Sequence, residues 1–244
     1  MYYISIIIHS KKGNNLTVNF SKRKIVQFLT IIALILITIH IIILAIYFDI
    51  ADPNKFDFVP MFDLDMEDNL PTLFSTLLMF ISAFFFYLLS RLSIQEKKAD
   101  RRFWLGLSFI FTFLAFDENL QIHESIGDLT EQFIHASGYL YYPWVISYSI
   151  LVFILGLFYI RFFWRMEKTT SRYFITSAVI FLSGAIGFEL LGAHEASVHS
   201  DDTLLYCIYY TIEESLEMFG VIYLIWILLG LVSKNDIKIT LNDI

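Results

Sequence analysis

The chain has 244 residues and a formal net charge of −7; 57 % of its residues are hydrophobic and only 17 % are charged. Its mean hydropathy is +0.64, whereas soluble domains carry about 45–50 % apolar and about 25 % charged residues. The composition therefore excludes a soluble domain, a disordered chain and a soluble nucleic-acid-binding protein. The single cysteine, Cys207, excludes a scaffold of internal disulfides. We expect an integral membrane protein that contacts the lipid bilayer and no nucleic acid.

Six apolar stretches are long enough to cross a bilayer, whose core of about 30 Å requires about 20 apolar residues per helix. They lie at 25–48, 71–90, 103–122, 143–163, 173–192 and 208–232. The first is too long for the apolar part of a signal peptide, and no small-residue cleavage site follows it, so we interpret it as a retained anchor. The pattern predicts an all-α integral membrane bundle of six transmembrane helices at 25–232, with a basic tail at 1–24 and a second tail at 233–244.

The basic residues indicate which way the helices cross the membrane. If the N-terminus is cytoplasmic, every one of the 17 Lys and Arg residues except Lys55 lies in a cytoplasmic segment. This distribution follows the positive-inside rule in every loop. We therefore expect both termini in the cytoplasm of the cell (inner) membrane. The acidic loops then face the periplasm or the exterior, and most of the acidic residues lie on that side, which the rule does not require.

A short acidic motif occurs twice, at the ends of the third and fifth spans. Both of these spans run from the inside to the outside, so the same side-chain types emerge at the same end of two parallel helices. This repetition favours a duplication of two helical hairpins, 103–163 and 173–232. The shared pattern is Glu-x4-His-Glu, which occurs at Glu118, His123 and Glu124 and again at Glu189, His194 and Glu195.

The sixth span carries Glu213, Glu214 and Glu217, which share one face of a helix at about 100° per residue. Depth in the membrane follows from the rise of about 1.5 Å per residue. On that scale Asp117, Glu189 and Glu217 lie about 21, 24 and 22 Å above the inner edge of their spans. Three helices therefore place carboxylates in one layer of the outer leaflet.

Carboxylates at this depth need a partner, because placing an ionised side chain in the membrane costs a few kcal/mol of free energy. Such a side chain usually faces a group of opposite charge. Lys and Arg are missing from the outer halves of the predicted spans. Neutral imidazole together with carboxylates suits Zn, Fe or Mn, so we predict a divalent metal ion. Either Glu213 or Asp117 could serve as the general base toward a water molecule that the metal activates. The predicted metal ligands are Glu118, His123, Glu124, Glu189, His194, Glu195, Glu214 and Glu217.

The geometry of the repeated motif leaves two alternatives open. A straight helix cannot aim Glu118, His123 and Glu124 at one point, because they are separated by more than 100° around its axis. Either the helix is distorted, or the His-Glu pair lies on a cap that folds back over the site. Gly192 offers a break in the fifth span, whereas Gly127 comes too late to break the third. Two interpretations without a metal also remain: a solvated outer loop from Asp117 to Glu131, and a network of protonated carboxyls.

Three functions are compatible with such a site. The first is a metal-dependent enzyme at the outer face that acts on a lipid or another membrane-soluble substrate. The second is a cation or proton transporter, because carboxylates inside a membrane often mark ion pathways. The inner halves of the spans, however, offer few polar residues to continue such a path. The third is a non-catalytic subunit or a sensor of a membrane complex.

Three smaller features carry expectations of their own. His40 is alone inside the first span, where we expect a structural role with satisfied hydrogen bonds rather than a metal ligand. The acidic loop Asp63–Asp68 lacks the glycine and the terminal glutamate of an EF-hand, so we expect a solvated loop rather than a calcium site. Small residues at 183–187 allow close helix packing, so we expect the fifth span to be central.

Two strings of residues carry a resemblance to a family. The first is Phe-Leu-Ala-Phe-Asp-Glu-x4-His-Glu at 113–124, and the second is Glu-Glu-Ser-Leu-Glu-Met-Phe-Gly at 213–220. Together they resemble a group of uncharacterised bacterial multi-pass membrane proteins, over roughly residues 70–232. The resemblance implies the fold and a membrane location, and it implies no chemistry.

Overall fold

A computed structural model describes residues 3–9, 15–49, 59–96, 98–234 and 239–241, and most of them are helical. A 3-10 turn lies at Gly138–Leu140, and a π-helical segment, Ser183–Phe188, joins α7 to α8 without a break. The helices are α1 (Lys22–Asp49), α2 (Val59–Phe62), α3 (Leu70–Glu96), α4 (Lys98–Leu120), α5 (Ile122–Glu131), α6 (Trp144–Arg165), α7 (Lys168–Leu182), α8 (Glu189–Val198) and α9 (Leu204–Lys234).

Six helical segments of the described chain are long and apolar enough to cross a membrane, which confirms the predicted all-α bundle. The fifth of them runs through α7, the π-helical segment and α8, and it is longer at both ends than the predicted span. The segments are Lys22–Phe48, Leu70–Leu92, Asp100–Leu120, Trp144–Arg165, Lys168–Val198 and Leu204–Ser233.

A small sheet joins the two terminal segments, for which the sequence analysis predicted only tails. Strand β1 (Tyr3–His9) pairs antiparallel with β2 (Asn15–Ser21) and parallel with β3 (Ile239–Leu241). The run of isoleucines in β1 favours an extended strand, but a run so short has no clear period. Because β2 leads into α1 and β3 follows α9, both terminal segments lie at one end of the bundle. We call the opposite end, where α4 ends and α9 begins, the distal end.

The sixth span lies at the centre of the bundle, so the expectation that the fifth is central is wrong. Helix α9 packs against α1, α3, α7 and α8, and 56 % of its span is buried, compared with 17 % of the fifth span. The small residues of the fifth span instead serve one close contact with α9. A Cβ on Gly184 would lie 2.6 Å from the backbone oxygen of Glu213, and one on Gly220 would lie 2.8 Å from the backbone nitrogen of Phe181.

Aromatic rings fill the half of the bundle that lies nearer the sheet. The ring of Phe86 on α3 lies 5.3 Å from that of Phe111 and 6.0 Å from that of Trp104, both on α4. It also stacks on Phe174 of α7 at 6.3 Å, and Trp104 meets Phe162 of α6 edge-on at 4.9 Å. Ring contacts of this kind pack closely and leave little room for water. Polar chemistry between the helices is therefore found toward the distal end.

Candidate functional site

The third span ends in a sharp turn at Gln121, directly after its acidic residues. Gln121 has φ 52° and ψ 41°, in the left-handed region that few non-glycine residues adopt. Helix α5 begins at the next residue and folds back to pack against α6. His123 and Glu124 therefore lie on a separate cap helix, which decides between the two alternatives for this motif. In the fifth span the helix continues through Gly192, so the break expected there does not occur.

Asp117, at the distal end of α4, lies beside the imidazole of His123. The hydroxyl of Tyr148 donates a hydrogen bond of 2.8 Å to Asp117 Oδ1. The same oxygen lies 3.7 Å from His123 Nδ1, and the imidazole packs at 5.0 Å against the ring of Trp144. Asp117 is only 6 % exposed. One buried carboxylate thus contacts both α6 and the cap helix.

The other ring nitrogen of His123 meets the loop between α2 and α3. His123 Nε2 lies 3.5 Å from Glu67 Oε1. Glu67, His123 and Glu124 each offer one ligand atom, and these atoms all lie within 4.8 Å of one another. We call these three residues the cap site. Among the described residues, the second carboxylate oxygen of Glu67 is buried and has no hydrogen-bond partner.

The loop that carries Glu67 is anchored to the helices at Leu64, whereas Asp65, Met66 and Asp68 are exposed, so the expectation of a solvated loop is only partly correct. The backbone N–H of Leu64 donates to His40 Nδ1 at 3.2 Å, and His40 Nε2 lies 3.1 Å from the hydroxyl of Thr211. Because that hydroxyl donates to the carbonyl of Cys207, we assign the proton to His40 Nε2. The structural role expected for His40 is confirmed. The side-chain amide of Asn69 donates to carbonyls within the loop and closes it.

Five glutamates form a second group beneath the cap site, which we call the carboxylate layer. The charge of Glu189 interacts with that of Glu213, and Trp144 Nε1 donates to Glu189 at 3.1 Å. The charge of Glu118 interacts with those of Glu67 and His123, which links the two groups. Helices α4, α8 and α9 thus bring their acidic residues together. The layer consists of Glu118, Glu189, Glu213, Glu214 and Glu217.

Two of the predicted ligands, His194 and Glu195, have other partners in the structure. The ring of His194 stacks at 4.2 Å on Tyr139 in the connection before α6. Glu195 accepts a hydrogen bond of 2.9 Å from Thr203 and lies 3.2 Å from His199 Nδ1. Because α8 continues as a regular helix, residues five and six places after Glu189 point more than 100° away from it. The two copies of the motif therefore differ in structure.

Two residues of the cap site, Glu67 and His123, have raised pKa values. Burial raises the pKa of Glu67 to about 7, although the nearby His123 opposes this shift. Burial lowers the pKa of His123, but the hydrogen bond and charge of Asp117 and the charge of Glu67 outweigh it, so the pKa is raised. Both groups therefore tend to hold protons near neutral pH when no cation is bound. A cation that binds there has to displace those protons.

Several residues of the site were not singled out from the sequence. Glu67 is signalled only by the alternating acids of its loop, and the sequence does not show that this loop docks. Tyr148 and Trp144 are four residues apart and hence share one face of α6. They would have been interpreted as interface aromatics.

The fold and the two acidic groups define a multi-pass membrane protein with a carboxylate and histidine site at one end of its helical bundle. Such sites in bundles are built from side chains on facing helices. The chain belongs to the family described as a domain of unknown function (DUF8692), whose model matches residues 28–232. Neither a curated protein nor a solved structure matches the chain. The function therefore has to be argued from the site itself.

Proposed function

We propose that the protein is a metal-dependent membrane enzyme whose cap site binds a divalent ion (Zn, Fe or Mn). The arrangement around His123 carries the proposal. Two ligands on a tetrahedral ion with bonds of about 2.1 Å lie about 3.4 Å apart, and His123 Nε2 lies 3.5 Å from Glu67 Oε1. Metal-binding histidines usually donate their other N–H to a carboxylate. Asp117, 3.7 Å from His123 Nδ1, has the position for that role.

The unpartnered carboxylate oxygen of Glu67 supports the same proposal. A buried acceptor without a partner is costly and rare, and a bound ion would satisfy it. Glu124 is exposed, so its side chain is free to rotate toward an ion bound beside the cap helix. One nitrogen and two carboxylates suit Zn, Fe and Mn better than they suit Mg or Ca.

The position of the cap site favours a lipid or another membrane-soluble substrate at the outer face. A bound metal of this kind would activate a water molecule or polarise a carbonyl group. Asp117 contacts Tyr148 and His123, which favours an orienting role over that of a general base. Glu213, which is buried and whose charge interacts with that of Glu189, is then the better candidate for accepting a proton.

The packing nearer the sheet favours an enzyme over a transporter. Rings around Phe86 close the bundle there. The hydroxyls in this half donate to backbone carbonyls rather than form a path: Ser108 donates to Ala83 and Ser177 to Gly220, both at 2.8 Å. A transporter needs access from both sides of its binding site. A site at the distal end, with the described rings closing the bundle nearer the sheet, suits chemistry on one face of the membrane.

Metal analysis of the purified protein tests the proposal. The protein is prepared in mild detergent without chelator, supplied with Zn, Fe and Mn, and examined by element-specific mass spectrometry. We expect a stoichiometric ion that is lost in Glu67→Gln and in His123→Asn. It should be retained in His199→Asn, because His199 also lies beside a glutamate, Glu195, but outside the cap site. A wild-type protein without bound metal would overturn the proposal.

Enzymatic activity needs its own measurement. The protein is reconstituted in vesicles of extracted membrane lipids, and mass spectrometry follows new lipid products with and without a chelator. Products that require the metal and disappear in His123→Asn would support an enzyme. A tightly bound metal without any product would favour the alternative of a sensor or a non-catalytic subunit.

A further inference from the structure

We propose that the carboxylate layer is a second cation site, built from oxygen ligands alone, for a hard divalent ion such as Ca²⁺ or Mg²⁺. It extends the proposed function to a centre with two unlike ions, and it does not require the cap site to be occupied. Five observations lead to it: the charge of the layer, two unsatisfied hydroxyls, their level along the bundle, the direction of one of them, and the ligand chemistry.

The charge of the layer is not balanced by the protein. Among the described residues, Arg pairs with a carboxylate at Arg165–Asp100, near the sheet end of the bundle, and no ion pair joins the layer to Lys or Arg. Lys55, the basic residue expected on the outer side, lies outside the described residues. An ion at the cap site would already be matched by Glu67 and Glu124. Five further carboxyls therefore need a cation of their own, or protons.

Helix α3 supplies two buried hydroxyls without partners. Ser75 is 5 % and Thr76 is 7 % exposed, and within the described part of the chain neither hydroxyl has a hydrogen-bond partner. Hydroxyls inside helices normally bond to a backbone carbonyl one turn earlier. Ser82, on the same buried side of α3, does so by donating to Leu78 at 3.0 Å. The missing hydrogen bonds of Ser75 and Thr76 are therefore specific to the place of these two residues on α3.

That position is at the level of the carboxylate layer. Helices α3 and α4 are antiparallel neighbours, and Ser108 of α4 donates to the carbonyl of Ala83 on α3, which aligns the two helices. Eight residues before Ala83 along α3 is Ser75. Nine residues after Ser108 along α4 is Asp117, which is followed by Glu118. At about 1.5 Å per residue, Ser75 and Asp117 therefore lie at nearly the same distance from the contact between Ser108 and Ala83. Ser75 is thus level with the acidic end of α4.

Ser75 also points into the bundle. Phe86 marks the inward direction, because its ring contacts rings on α4 and α7. Ser75 precedes Phe86 by eleven residues, which corresponds to a difference of only about 20° around the helix. Its hydroxyl therefore lies on the buried face of α3, the helix that packs against both α4 and α9, and these two helices carry Glu118 and Glu217. An unsatisfied hydroxyl and the acidic group thus face the same interior space.

The ligand chemistry distinguishes this site from the cap site. Every donor of the carboxylate layer is an oxygen, as are the hydroxyls of α3, and such sets prefer Ca²⁺, Mg²⁺ or Mn²⁺. The cap site contains an imidazole nitrogen and prefers Zn²⁺ or Fe²⁺. Glu214 and Glu217 are only partly buried. The two groups can therefore be loaded and emptied separately.

Separate titrations with Ca²⁺, Mg²⁺ and Zn²⁺ on the detergent-purified protein test the inference. We expect a Ca²⁺ or Mg²⁺ affinity that falls at least about tenfold in Ser75→Ala and is lost in a Glu189→Gln/Glu214→Gln double variant. Zn²⁺ binding should persist in both. Ser82→Ala is the matched control, because Ser82 is equally buried on the same helix but is already satisfied. It should change neither affinity, and its elution on size exclusion should match the wild type.

The outcomes separate this inference from the proposed function. Loss of Zn²⁺ but not Ca²⁺ in His123→Asn supports two independent sites. A wild type that binds Ca²⁺ or Mg²⁺ but none of Zn²⁺, Fe²⁺ and Mn²⁺ overturns only the proposed function. A wild type that binds neither Ca²⁺ nor Mg²⁺ overturns the second site. An infrared band of protonated carboxyls that disappears in Glu217→Gln would also overturn it, because protons would then neutralise the layer.

Discussion

Asp117 Oδ1 and His123 Nδ1 lie 3.7 Å apart, although their residues would face different sides of a continuous helix. Six residues correspond to about 600° of rotation, which would leave the two side chains about 120° apart. The left-handed turn at Gln121 removes this separation by reversing the chain between them. The cap site therefore depends on one backbone conformation as much as on its ligands.

The turn at Gln121 should tolerate asparagine and not valine. Asparagine adopts the left-handed region far more readily than a β-branched residue does. We expect Gln121→Val to lower the free energy of unfolding by about 1–2 kcal/mol and to weaken metal binding at the cap site, while Gln121→Asn retains both. Thermal unfolding and Zn²⁺ titration measure the difference. Equal behaviour of the two variants would show that the turn does not position His123.

Asp117 should tune metal affinity without being a ligand. Replacing a carboxylate that orients a metal-binding histidine typically costs about 10–100-fold in affinity. We expect Asp117→Asn to weaken Zn²⁺ binding by that factor while the number of bound ions stays the same. Tyr148→Phe, which removes only the hydrogen bond to Asp117, should have a smaller effect in the same direction. Asp100→Asn, near the other end of the bundle, is the control and should bind Zn²⁺ like the wild type.

The stability of the metal-free protein should fall as the pH rises. The folded protein raises the pKa of Glu67 from 4.5 to about 7, so it favours the protonated form. This contribution is complete below about pH 4.5 and is lost as the pH rises through 7. The raised pKa of His123 acts in the same direction. We expect a lower melting temperature at pH 8 than at pH 5 in the presence of a chelator.

Glu67→Gln checks the origin of that pH dependence. Glutamine cannot ionise, so the variant should have a flatter profile of melting temperature between pH 5 and pH 8. Added Zn²⁺ should stabilise the wild type most at high pH, because the ligands are then deprotonated. A profile of the same slope in the wild type and in Glu67→Gln would assign the pH dependence to other groups.

His40 should be required for the docked loop. His40→Ala leaves a cavity and removes the acceptor of the Leu64 N–H, so we expect a loss of about 2–4 kcal/mol in unfolding free energy. Zn²⁺ affinity should fall as well, because the same loop carries Glu67. Thr211→Val removes only the contact at His40 Nε2 and should cost about 1 kcal/mol. Unchanged Zn²⁺ affinity in a folded His40→Ala protein would contradict this link.

Two glycines of the π-helical segment should respond differently to alanine. A Cβ on Gly184 would collide with the backbone oxygen of Glu213, whereas nothing lies within 4 Å of one on Gly187. We expect Gly184→Ala to cost about 1–3 kcal/mol and Gly187→Ala to be neutral or slightly stabilising. Thermal unfolding in detergent compares them. A neutral Gly184→Ala would mean that α9 can shift away without loss.

Hydropathy was sufficient to predict the six spans, because each must satisfy the same length and apolarity. Helical rise predicts one depth for Asp117, Glu189 and Glu217, and in the structure the charge of Glu217 interacts with those of Asp117 and Glu189. The docking of Glu67 could not be predicted, because it depends on the hydrogen bond that His40 accepts from Leu64 and on those that Asn69 donates within the loop, which no periodicity reveals. The sequence also did not show that His123 and His194 lie in different environments. The first motif contains a residue in the left-handed conformation and the second does not, and the two motifs are too similar to reveal this difference.

The central position of α9 has a consequence for how the protein is made. It is the last of the six spans to leave the ribosome, yet α1, α3, α7 and α8 pack around it. The earlier spans must therefore enter the membrane as a loose assembly with an open seam between α1, α3 and α7. Glu118 and Glu189 face that seam before Glu213, Glu214 and Glu217 arrive. Assembly of the bundle and completion of its acidic centre are thus one late event after synthesis of the sixth span.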